Sequence, residues 1–180
     1  INPIHVFSAA KYLKDSFSKV GTVIAFPLGA ISTEIKYAEA MDAIDQGAEE
    51  LDMMINIGYL KEGKNDQLAD EITKIVKESE DICLKVIIEA SLLNTEGKIR
   101  ISKIVKESGA DYIKTSTGFS AKGADAKDVT IKRSKLLSTL LITCLIESTW
   151  KMIMKATPIR AATTRGNISK APRNITDRKI

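Results

Sequence analysis

Four short runs rich in β-branched and aliphatic residues recur along the first two-thirds of the chain: Val20–Phe26, Glu50–Ile57, Leu84–Glu89 and Tyr112–Thr117. Their centres lie about 30 residues apart, the size of one strand-plus-helix unit. Between them the apolar period lengthens to that of a helix. Ile35, Ala38, Met41 and Ile44 form one stripe after a Ser32-Thr33 cap, and Leu68, Ile72, Ile75 and Val76 form a second. Ile101, Ile104 and Val105 form a third after Asn94-Thr95, and Val6, Ala9, Ala10 and Leu13 predict one more helix near the start. Gly47 and Gly109 stand where a helix must stop. Strands that alternate with helices in this way cannot pair as hairpins. They form a parallel sheet covered by helices.

A repeat narrows the choice. The segment 46–52 (Gln-Gly-Ala-Glu-Glu-Leu-Asp) matches 108–114 (Ser-Gly-Ala-Asp-Tyr-Ile-Lys) in its Gly-Ala-acid-x-aliphatic-charge order, 62 residues later. Asp52 and Lys114 therefore occupy equivalent places on strands separated by one strand. In a closed (β/α)8 barrel, alternate strands feed side chains into the same interior layer. An open doubly wound sheet does not bring such charges together so naturally, so a barrel is the expected fold.

Three strands that otherwise read as buried carry a charge: Asp52, Lys85 and Lys114. Period-2 alternation puts Lys85 and Glu89 on one face of their strand, with Ile87 between them. Unpaired buried charges cost several kcal/mol, so such groups pair with each other or do chemistry. One reading is a structural ion-pair layer inside a barrel. The other is a polar active site, in which a lysine desolvated near another cation becomes a nucleophile. The strand exit Lys114-Thr115-Ser116-Thr117-Gly118-Phe119 suits the second reading, since hydroxyls, glycine and free N–H groups can hold a phosphate or a small polar substrate. It also reads as an ordinary strand exit.

Four linked segments carry a family resemblance. They are 22–29 (Thr-Val-Ile-Ala-Phe-Pro-Leu-Gly), 50–56 (Glu-Leu-Asp-Met-Met-Ile-Asn), 84–89 (Leu-Lys-Val-Ile-Ile-Glu) and 112–119. In order and spacing, from about Ile1 to about Arg133, the chain resembles deoxyribose-phosphate aldolase. The resemblance implies a TIM-barrel class I aldolase that cleaves 2-deoxy-D-ribose 5-phosphate to glyceraldehyde 3-phosphate and acetaldehyde, without a metal or other cofactor. Carried over by position, Lys114 matches the Schiff-base lysine and Asp52 the aspartate of the proton relay. Lys85 matches a supporting lysine of the same site, and Thr117 and Gly118 match the strand exit near the substrate and its phosphate. The implied partners are small phosphorylated sugars and aldehydes, with a homo-oligomer as a further expectation.

The remainder differs in character. Residues 1–128 hold 16 basic and 21 acidic side chains, whereas residues 129–180 hold 11 basic and 2 acidic, and nine of the ten glycines fall in the first segment. The family's second lysine, in a Lys-Ala-Ser-Gly-Gly-Ile-Arg-like strand, has only the faint echo Lys155-Ala156-Thr157-Pro158-Ile159-Arg160. The expected organisation is a partial aldolase barrel over residues 1–133 and a divergent basic tail over 134–180. The first strand and the last two strands of the barrel are missing or unrecognisable, and Ile1-Asn2-Pro3 reads as cut from a longer strand. The tail reads in three ways: a solvated extension, a surface for nucleic acid or anionic lipid, or a frameshifted barrel end. It has no aromatic residue after Thr157 for base stacking, so no nucleic-acid partner is expected. A chain so divided is expected to have little or no aldolase activity alone. The competing expectation is an inactive partial barrel that binds phosphorylated ligands or assembles with another subunit. A different Schiff-base aldolase on the same barrel is the third.

Other classes are set aside by composition. Two cysteines, Cys83 and Cys144, cannot build a disulfide framework, and nothing at the start reads as a signal peptide, so a cytoplasmic setting is expected. The longest apolar stretch, 136–146, falls short of the roughly 20 residues a membrane span needs. His5 is the sole histidine, which leaves no His-based metal cluster. The two Asn-x-Ser/Thr matches at Asn167 and Asn174 are read as chance.

Overall fold

The computed structural model describes residues 1–79, 81–120 and 122–125. The basic tail, Cys144 and Lys155 lie outside the described residues. Strands β1 (Gly21–Ile24), β2 (Glu50–Met54), β3 (Cys83–Ile87) and β4 (Tyr112–Lys114) form one parallel sheet in the order β1-β2-β3-β4. Chain order equals spatial order, as in a barrel wall and unlike a doubly wound sheet, whose order reverses at a switch point. The helices are α1 (Val6–Leu13), α2 (Thr33–Asp45), α3 (Ile57–Lys61), α4 (Asn65–Glu78) and α5 (Thr95–Glu107). Over the described residues the architecture is an incomplete (β/α)8 barrel, an unclosed wall of parallel strands with helices on one side.

The local signals act as expected. Ser32 Oγ accepts the Ile35 N–H at the start of α2, and Asn94 Oδ1 accepts the Gly97 N–H at 2.8 Å at the start of α5. Gly47 and Gly109 follow α2 and α5 at φ 99° and 87°, the left-handed cap that glycine adopts without strain. Asn56 caps α3, a short helix that sequence periodicity merges into the second strand, because Asn56 Oδ1 accepts the Tyr59 N–H. The observed strands are also shorter than the apolar runs. β3 ends at Ile87, and Glu89 turns out of the ladder at φ 41°.

The core lies between sheet and helices. Leu51, Met53, Leu84, Val86 and Ile113 point from the strands toward Leu68, Ile72, Ile75, Ile101 and Val105. Burying one such side chain contributes about 1.5–3 kcal/mol. The α4 and α5 stripes match the expected ones, but the α2 stripe does so only in part: Met41 and Ile44 pack against the core, whereas Ala38 is exposed. Ile35 is 52% exposed, and the buried face of α2 is Lys36, Ala40 and Ala43. The reason is an ion pair. Lys36 Nζ donates to Glu71 Oε1 of α4 at 2.8 Å and to the Met54 carbonyl at 2.9 Å, with both side chains fully buried. A charge that finds such a partner can face the core, which hydropathy alone does not anticipate.

Candidate active site

Alternation along each strand sends Glu50 and Asp52 of β2, Lys85 of β3 and Lys114 of β4 to the face turned away from the helices. Asp52 is in register with Lys85, which is in register with Tyr112, while Lys114 is level with Ile87 and Met54. Lys114 is thus two residues ahead of the ladder row that holds Asp52, two strands away. Their side chains nevertheless meet, with Lys114 Nζ donating to Asp52 Oδ2 across 62 residues of sequence. A stagger of one residue per strand is what a shear of about 8 over the eight strands of a (β/α)8 barrel requires. The repeat therefore foretells the contact correctly, although the two residues do not share a hydrogen-bonded row.

Lys85 joins them. Its Nζ lies 3.6 Å from Asp52 Oδ1 and donates to Glu50 Oε2. Glu50, Lys85, Asp52 and Lys114 form one chain of alternating charge. The Lys114 side chain is 11% exposed, the Lys85 side chain 18% and the Asp52 side chain 21%, so the cluster is shielded but reachable. Burial pushes the Lys85 ammonium down, but its hydrogen bond to Glu50 and the charges of Asp52 and Glu50 outweigh this and hold it above the usual lysine range. Lys85 is therefore a fixed cation beside Asp52. Asp52 Oδ1 is buried without a hydrogen-bond partner among the described residues, so it has an acceptor position to spare.

The carboxyl ends of the strands build the rim. After β1, Gly29 packs so tightly on the β2 exit that a Cβ there would lie 1.9 Å from the Ile55 carbonyl oxygen. This holds Phe26-Pro27-Leu28 over the sheet end. Phe26 meets Phe119 of the β4 exit edge to face, with ring centroids 5.4 Å apart and planes at 80°. Thr117 is tied inward, because both its N–H (2.9 Å) and its Oγ1 (2.5 Å) donate to Glu89 Oε2. Gly118 follows at φ 85°. Among the described residues no group of His, Cys, Asp and Glu is placed to hold a metal ion, and no helix is long and apolar enough to cross a membrane.

The structure brings Asp52, Lys85 and Lys114 together and sets Thr117 and Gly118 on the turn that follows. Sequence reasoning omits Glu50, although the period-2 alternation that singles out Asp52 also puts Glu50 on its face. It notes Glu89 on the Lys85 face without giving it a role. Cys83 is a half-buried free thiol, and burial pushes its ionisation up.

Comparison with known proteins agrees with this fold. A sequence model of the DeoC/LacD family aldolases matches residues 2–137. Deoxyribose-phosphate aldolase of Staphylococcus carnosus is 51% identical over 133 residues, which cover 74% of this chain and 60% of that protein. The enzyme of the same name from Clostridium botulinum is 48% identical over 133 residues, 74% of this chain and 63% of that protein. Among solved structures, QR15, an aldolase, superposes with a TM-score of 0.75 at 37% identity, covering 78% of this chain and 63% of that one. The deoxyribose phosphate aldolase of Aeropyrum pernix, a tetramer, gives 0.66 at 29% identity, covering 73% and 55%. The chain spans about three-fifths of the length of the curated relatives it matches.

Proposed function

The chain belongs to the DeoC/LacD family of aldolases, and from that premise we propose that it carries the Schiff-base site of a deoxyribose-phosphate aldolase. The observation that supports this reading most is the contact of Lys114 with Asp52 on the barrel face, at the positions where the resemblance puts the nucleophile and the proton relay. The substrate is 2-deoxy-D-ribose 5-phosphate, and the products are glyceraldehyde 3-phosphate and acetaldehyde. The Lys114 amine adds to the substrate carbonyl, and loss of water leaves an iminium. The carbon–carbon bond then breaks, its electron pair flowing into the iminium to give an enamine. Protonation of the enamine carbon and hydrolysis release acetaldehyde and return the lysine. Asp52, with a water at its spare oxygen, moves these protons. Lys85 holds Asp52 in place, and Thr117 and Gly118 lie where the phosphate-bearing end approaches.

The setting is cytoplasmic, and the chain forms a homo-oligomer, a reading supported by the tetrameric structure of the Aeropyrum pernix enzyme. Borohydride trapping tests the reading. With acetaldehyde, mass spectrometry should find one ethyl group on Lys114 and none in Lys114→Ala. Steady turnover of the sugar phosphate should be far below the labelling rate, because the match to the family ends at residue 137. Labelling spread over other lysines, or absent, overturns the proposal. Labelling at Lys114 with rapid turnover overturns only the expected impairment.

A further inference from the structure

We propose that Glu89 is a positioning residue that sets the shape of the strand exit beyond Lys114, an inference that rests on the Schiff-base reading above. Glu89 is 2% exposed and lies at φ 41°, a backbone state that a residue other than glycine keeps only when its surroundings over-determine it. Here they do. Glu89 Oε2 accepts the Thr117 N–H and the Thr117 hydroxyl, and Oε1 accepts the Ser91 hydroxyl at 3.0 Å. The backbones run in step beside it. The Ile88 N–H donates to the Lys114 carbonyl at 3.0 Å, and the Ala90 N–H to the Thr115 carbonyl at 2.6 Å. The carboxylate fastens the end of this seam, between the exits of β3 and β4.

Two consequences follow for a ligand. Both donors of Thr117 are spent inside the protein, and Thr117 Oγ1 also accepts the Phe119 N–H at 3.2 Å, which closes the turn. Ser116 Oγ is left buried with no hydrogen-bond partner among the described residues. It is the exposed Gly118 backbone, next to these spent donors, that the fastened turn presents to a polar or anionic group. A bare carboxylate near a phosphate would repel it. Glu89 has its charge satisfied by three donors and acts through Thr117, without touching the substrate.

The test uses the full chain, with Glu89→Gln, which keeps an acceptor oxygen for Thr117, and Glu89→Ala, which removes it. Borohydride labelling of Lys114 is followed with acetaldehyde, which has no phosphate, and with 2-deoxyribose 5-phosphate, alongside hydrogen exchange in the peptide that contains Thr117. In Glu89→Ala the sugar phosphate should need about tenfold higher concentration for half-maximal labelling, the loss expected for a hydrogen bond to a charged group. Acetaldehyde labelling should fall much less, and the Thr117 peptide should exchange faster. Glu89→Gln should recover most of each loss. An unchanged half-saturation in Glu89→Ala overturns the proposal, and so does an equal loss with both aldehydes, which marks a general structural role. If neither aldehyde labels the unaltered chain, the Schiff-base reading fails by itself. Exchange at Thr117 still decides the contact, since equal protection in Glu89→Ala rules it out.

Discussion

Lys85 has a carboxylate on each side, Glu50 and Asp52, both from the neighbouring strand. Its folded pKa is raised above the ordinary 10.5, so the sign of its pH dependence is set. The stabilisation it contributes is fully present below pH 10.5 and is lost as pH rises through the higher folded value. Lys85→Met should lower stability at pH 8 by about 1–3 kcal/mol, since two half-buried carboxylates lose their cation. The gap between the two proteins should narrow in urea titrations taken at progressively more alkaline pH. An unchanged gap across that range would mean that the contacts are packing alone. The lysine itself is legible in the sequence, as a charge inside an apolar strand. Glu50 is not singled out there, because it stands at the first position of its run and so does not interrupt an apolar stretch as Lys85 does.

Between elements, the buried Lys36–Glu71 pair joins α2 to α4 and reaches the β2 exit. The Asn56 N–H donates to Glu71 Oε1 at 3.3 Å, and Lys36 holds the Met54 carbonyl, so the segment just beyond Asp52 is pinned from behind. Burial pushes Lys36 down and Glu71 up, each opposed by the charge of the other. Removing one partner leaves an uncompensated buried charge. Glu71→Leu should therefore cost about 3–5 kcal/mol, whereas Lys36→Met with Glu71→Leu should recover most of that loss. Chemical denaturation of the two single variants and the double variant measures this directly. A double variant as weak as either single one would refute the account. Helices α4 and α5 are readable from their apolar stripes because Leu68, Ile72 and Ile75 of α4 and Ile101, Ile104 and Val105 of α5 make up most of their buried faces, although Glu71 is buried beside the first. The α2 face is misread at its start because its largest buried residue is a lysine.

For the molecule as a whole, β4 has β3 on one side and no further strand among the described residues on the other. On the reading of the chain as a partial barrel, that edge is a site for association. The full chain should therefore sediment as a dimer or a larger species at micromolar concentration, and a compact, well-dispersed monomer would count against the partial-barrel account. The sequence by itself determined the alternation of strand and helix, the caps of α2 and α5, and the candidates Asp52, Lys85 and Lys114. Each of these rests on local periodicity, or on a charge that breaks an apolar run. Tertiary structure alone decided three other matters. Shear brings Lys114 to Asp52 across two strands, a pairing that depends on how the wall tilts. Lys36 faces inward because Glu71, 35 residues away, is there to receive it. Glu89 leaves its strand to hold Thr117 because the exits of β3 and β4 lie side by side. All three are contacts between distant segments, and their energies exist only once the sheet has formed.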